Sequence, residues 1–120
     1  MPAKDFDVGG YLPLTPPVFH VLVALADGEK HGYAILKEVE DSTGGKAPLG
    51  TGTLYAIIKR LLNDGLIEEI DERPHGDDER RRYYRLTDFG RQVAVAEARR
   101  MEDALAGART KKLVRKPRPG

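Results

Sequence analysis

The sequence predicts a mainly α fold with one small β-hairpin, in the order three helices, hairpin, helix. Three observations lead there. Apolar residues recur at helical spacing between Thr51 and Gly65, most sharply at Leu54, Ile57, Ile58, Leu61 and Leu62. The period changes after Gly65, where two strand-like runs flank a Pro74-His75-Gly76-Asp77-Asp78 turn. Helical spacing then returns from Thr87 onward.

Residues 1–14, broken by Gly9, Gly10 and Pro13, are expected to form a flexible N-terminal segment. The first helix starts at Thr15, a good N-cap, with Pro16 where its missing N–H costs nothing, and Gly28 offers its stop. Val18, Leu22 and Leu25 make its inward stripe. Phe19, Val23 and Ala26 widen that stripe beyond what one small core absorbs. The second helix, from His31 to Thr43, turns Ile35, Leu36 and Val39 inward and ends at Gly44-Gly45. The third presents Gly52, Ala56, Lys59, Arg60 and Asn63 on the face opposite its apolar stripe, with Thr53 and Tyr55 on the flanks.

The strands are expected over 66–73 and 80–86. Tyr84 and Leu86 then share one face, and Tyr83 and Arg85 the other. Thr87 caps the fourth helix, which carries Ala94, Ala98, Met101 and Leu105 at helical spacing and fades at Gly107. Residues 107–120 hold Arg109, Lys111, Lys112, Arg115, Lys116 and Arg118 and no acid, and read as a basic disordered tail. The chain thus divides into 1–14, a globular unit over 15–87, a helix over 88–106 and the tail.

A length of 120 residues favours one core, and 40% apolar with 32% charged residues suits a folded domain with a well-solvated surface. The absence of cysteine excludes disulfides, thiolate metal sites and a cysteine nucleophile. His20, His31 and His75 lack paired zinc spacing, Ser42 is the only serine, and Gly50-Thr51-Gly52 lacks the lysine of a phosphate loop. No enzyme activity, cofactor or metal is therefore expected. His31 is expected to cap or pack at its helix start. With no apolar signal core and no run of membrane-span length, the expectation is a cytoplasmic chain with no membrane partner.

The net charge of +1 says nothing in favour of nucleic acid, but its distribution does. Arg80, Arg81 and Arg82 with Arg85 form a basic cluster, as does the tail. The competing reading is a solvated face whose arginines only neutralise Asp77, Asp78 and Glu79.

This element order is that of a winged helix-turn-helix with a C-terminal dimerisation helix. Its third helix is anchored on one face, so the other is free to enter a major groove of double-stranded DNA. The residues expected to meet DNA are Thr51, Gly52, Thr53, Tyr55, Lys59, Arg60 and Asn63, with Arg80, Arg81 and Arg82 on the wing. Those expected to join two copies into a homodimer are Phe19, Val23, Ala94, Ala98, Met101 and Leu105. A winged helix used only for protein contacts is the alternative, and would show apolar residues where Lys59, Arg60 and Asn63 stand.

His31-Gly32-Tyr33, Gly52-Thr53-Leu54-Tyr55, Leu61 with Gly65-Leu66-Ile67, and Arg82-Tyr83-Tyr84-Arg85-Leu86-Thr87 with Gly90 closely resemble the PadR-like transcriptional regulators, in order and spacing. The resemblance implies a dimeric repressor on an inverted-repeat operator. It also implies DNA-backbone contacts by Thr53 and Tyr55, and packing of the wing through Tyr84 and Leu86. Ala56 departs from the family, which often has proline there. Relatives that bind flat aromatic compounds between subunits use a tryptophan on the last helix, where this chain offers only Met101 and alanines. A small-molecule effector at the dimer interface and no effector at all are both admitted.

Overall fold

Three helices and a sheet converge on one core, described by a computed structural model over residues 7–46, 48–70 and 82–115. Helix α1 (Pro16–Ala24) contributes Val21, Leu22 and Ala24, and α2 (Gly32–Ser42) contributes Ile35 and Val39. Helix α3 (Thr51–Asn63) adds Leu54, Ile58 and Leu61. Leu66, Ile67, Tyr84, Phe89 and Val93 close the core from the sheet and from α4 (Asp88–Thr110).

The inward face of α1 is broader than its expected stripe, since Val21 and Ala24 are buried beside Leu22. Val23 and Ala26 remain exposed and Phe19 is half-buried, so the widening residues do lie outside the core. Thr15 occupies the N-cap of α1 without a side-chain cap bond. His31 caps α2, its Nδ1 accepting from the Ala34 N–H at 3.2 Å.

The sheet has three strands rather than two, β1 (Lys30–His31), β2 (Ile67–Ile70) and β3 (Tyr83–Leu86), with β3 in the middle. β1 pairs antiparallel with β3 through Lys30 against Tyr84 and His31 against Tyr83. Two residues are too few to show a period of two, which is why β1 leaves no trace in the hydropathy pattern. The added strand also corrects the expected alternation on β3. Tyr83 is buried as well as Tyr84, because the His31 ring covers it edge-on at 5.4 Å.

The segment before α1 is docked where its breakers suggested looseness. Val8–Tyr11 form a 3₁₀ turn whose Asp7 carboxylate accepts from the Gly9 N–H, and Tyr11 meets Phe89 edge-on at 5.5 Å. Val8, Tyr11, Leu12 and Leu14 pack on the core, which outweighs the glycines and proline between them.

Glycine fixes the join between sheet and α4. A Cβ on Gly90 would lie 1.9 Å from the Leu66 carbonyl oxygen, so only glycine lets α4 approach the strand this closely. Thr87 locks the same corner, donating from Oγ1 to the Gly65 carbonyl at 2.6 Å and accepting from the Gly90 N–H at 2.9 Å.

At its far end α4 runs through Gly107, the expected stop, to Thr110. One helical glycine costs only about 1 kcal/mol relative to alanine, and alanines flank this one. The stop is made further on. Lys112 adopts φ 63°, and the Leu113 N–H donates to the Ala108 carbonyl at 2.9 Å, closing a Schellman turn. The expectation of disorder from Gly107 is therefore corrected for residues 107–115, while 116–120 lie outside the described residues. Among the described residues no helix is long and apolar enough to cross a membrane.

Candidate nucleic-acid interface

Helix α3 buries Leu54, Ile58 and Leu61 and leaves Thr51, Gly52, Thr53, Tyr55, Ala56, Lys59, Arg60 and Asn63 exposed. All seven expected α3 contacts therefore share one solvent-facing side of the molecule. A Cβ on Gly52 would meet nothing within 4 Å, so internal packing does not require that glycine. Its smallness matters only to something outside the chain. The N-cap of α3 is Gly50, with no side-chain cap bond and no acid in the first turn. The first backbone N–H groups thus keep their partial positive charge toward solvent, a natural meeting point for a phosphate oxygen.

Tyr55 is 47% exposed and leans across the start of α2. A Cβ on Gly32 would come within 2.5 Å of its hydroxyl oxygen, so Gly32 is what lets the phenol lie there. Tyr33, 64% exposed, stands beside it on α2 with its ring stacked near His31. The sequence pattern contained Tyr33 but assigned it no role. The available signal was an aromatic at an outward position of a short helix. Beneath them, burial and the nearby Glu69 charge push the Tyr84 hydroxyl above its ordinary pKa, so it stays neutral within the sheet.

The cations differ in how far they are already engaged. Lys59 has no ion pair among the described residues, and Arg60 sits loosely against Asp64 at 3.8 Å. On the wing Arg82 lies 3.7 Å from Glu69, and Arg85 donates to Glu68 at 2.9 Å. Arg82 is thus partly neutralised by its own sheet, by a partner other than the turn acids. Arg80 and Arg81 fall outside the described residues.

The expected dimer residues divide. Phe19, Val23, Ala98, Met101 and Leu105 retain exposed surface, whereas Ala94 is packed against the chain's own core. Its neighbour Val93 is fully buried, and the turn of α4 carries Ala94 in behind it. Sequence reasoning missed Glu97. This carboxylate is only 1% exposed, accepts from the Leu14 N–H at 2.9 Å and is held by Arg100. The Arg100 guanidinium keeps it below the usual carboxylate range against the opposing effect of burial.

A family model described as "Transcriptional regulator PadR-like family" matches residues 21–96. An uncharacterised 37.1 kDa protein in transposon Tn4556 of Streptomyces fradiae is 40% identical over 81 residues. That match covers 68% of this chain and spans 21% of the relative's length. A transcriptional regulator from Clostridium thermocellum superposes with TM-score 0.64 at 27% identity, covering 90% of this chain and 94% of that one. Bacillus subtilis PadR, solved in complex with operator DNA, superposes with TM-score 0.57 at 23% identity, covering 88% of this chain and 51% of that one.

Proposed function

Since the chain belongs to the transcriptional regulator PadR-like family, we propose that it is a cytoplasmic repressor that binds an inverted-repeat operator as a homodimer. The observation that carries the reading is the outer side of α3: small residues, hydroxyls, Lys59 and Asn63, all exposed on a helix whose other side is bolted to the core. Thr51 and Thr53, with the free N–H groups around Gly52, meet phosphate and set the register. Tyr55 adds a backbone contact, and Lys59, Arg60 and Asn63 face base edges. Arg80, Arg81 and Arg82 bring charge to the adjacent groove. Phe19 and Val23 on α1, with Ala98, Met101 and Leu105 on α4, join the two subunits, so each α3 enters one half-site.

An effector reaches this dimer at a hollow of about 210 Å³ between α1 and α4, bordered by Phe19, His20, Glu97 and Met101. The hollow is smaller than the roughly 300 Å³ at which small-molecule sites begin, so a drug-sized compound needs the second subunit to complete it. The deciding experiment is a gel shift of the protein on the DNA upstream of its own gene against a scrambled duplex. Preference for the former by about a thousandfold or more supports the reading. Equal affinity for both duplexes defeats it and favours a module that contacts protein.

A further inference from the structure

Helix α4 leaves the domain with a second side uncovered. Val93 and Glu97 turn toward the core and Ala94 packs on it. More than about 100° around the helix from them, Val95, Ala98, Glu102, Leu105 and Arg109 succeed one another at intervals of three and four residues. That interval is the seam along which two helices pair. The first four are exposed. Arg109 is half-buried by its own surroundings, and its Nε is the one shielded side-chain nitrogen or oxygen without a hydrogen-bond partner among the described residues. Glu102 has no ion pair among them either.

Opposite charges one heptad apart on a single seam decide the direction of pairing. In a parallel pair Glu102 would face its own copy, and so would Arg109, giving two repulsive layers. An antiparallel pair sets each carboxylate against a guanidinium, and the twofold axis makes the contact twice. The same register brings Leu105 against the partner's Ala106, and Ala98 against the partner's Leu113. It thus gives cover to Leu113, which is 77% exposed in the single chain. We propose that α4 pairs antiparallel with α4 of a second copy, in the register that sets Glu102 against the partner's Arg109. The proposal rests on the dimeric reading above and specifies its geometry.

Charge reversal tests it, because both side chains lie outside the core and the subunit folds without them. Sedimentation at low salt should show Glu102→Arg and Arg109→Glu each weakening the dimer about tenfold or more, as like charges face each other. The double variant E102R/R109E should recover, and so should an equimolar mixture of the two single variants, since each then supplies the charge the other lacks. High salt should narrow all the differences. Losses that simply add in the double variant, or single variants that dimerise like the parent, overturn the register. A parent chain that sediments as a monomer at micromolar concentration instead overturns the dimeric reading itself. Helix content by circular dichroism, expected unchanged, separates both results from unfolding.

Discussion

Two glycines show how differently one missing Cβ can act. At Gly90 the obstacle is the Leu66 backbone carbonyl, 1.9 Å from an added Cβ, and backbone on both sides must move. Gly90→Ala is therefore expected to destabilise the fold by about 3 kcal/mol, as in severe overpacking, lowering the melting temperature by roughly 10 °C. A calorimetric midpoint within a few degrees of the parent would refute this. At Gly32 the obstacle is the far end of the Tyr55 side chain, which can swing away. Gly32→Ala should leave the melting temperature nearly unchanged while displacing the Tyr55 hydroxyl from the proposed DNA face. Affinity for duplex should then fall by a few fold in a filter-binding assay, with stability intact. The sequence marks both glycines inside its motifs, yet nothing in their spacing tells a packing glycine from one that makes room for a side chain. That difference depends on which atoms arrive from 23 residues away in each case, at Tyr55 and at Leu66.

The elements themselves were legible where their apolar period was long. Five apolar positions defined α3 and its exposed side, and a threonine cap with glycine three residues on defined the start of α4. What escaped was held by single contacts: β1 by two residue pairs, and the segment before α1 by the Tyr11 ring and Glu97. Glu97 looks like a surface residue of α4 in sequence because its partners come from its own helix and from Leu14, far away along the chain. Its consequence is a pH dependence. The folded pKa is lowered from an ordinary value of 4.5 by Arg100, so its stabilisation is fully present above that value and is lost as pH falls through the lower folded one. Thermal midpoints should drop on acidification below about pH 4.5 and drop less steeply in Glu97→Gln, which cannot titrate. Parallel pH profiles for the two proteins would show the link to be absent. The end of α4 offers a milder test. Lys112 holds a left-handed backbone that glycine adopts freely, so Lys112→Gly should tighten the last turn by about 1 kcal/mol. Slower amide exchange at Lys112 and Leu113, whose N–H groups close that turn, is the expected readout.

Binding to DNA joins these pieces, because one domain alone has little with which to hold a duplex. The chain carries a net charge of only +1, and the wing arginines Arg82 and Arg85 are each engaged by a glutamate of β2. A single α3 therefore offers a few hydroxyls, backbone N–H groups and the cations Lys59 and Arg60. Useful affinity at physiological salt has to come from two such helices held at a fixed separation, which the α1 and α4 surfaces provide in the proposed dimer. Linkage follows: whatever weakens the dimer must weaken binding to a two-site operator, while leaving binding to an isolated half-site as it was. Leu105→Asp is the sharpest probe, since the residue is part-exposed in the single subunit but central to the seam. An unpaired carboxylate buried there costs several kcal/mol, so the variant should be monomeric at micromolar concentration with an unchanged melting profile of the monomer core. On an inverted repeat it should bind far more weakly than the parent, with a dependence on protein concentration approaching second order. On a single half-site the two proteins should bind alike, both weakly. Lys59→Ala and Asn63→Ala should behave in the opposite way, keeping the dimer but losing about 1–3 kcal/mol on the preferred site wherever the side chain reads a base edge. Equal losses for Leu105→Asp on the half-site and on the full repeat would place its effect on the DNA face itself. They would break the proposed division of labour between α3 and α4.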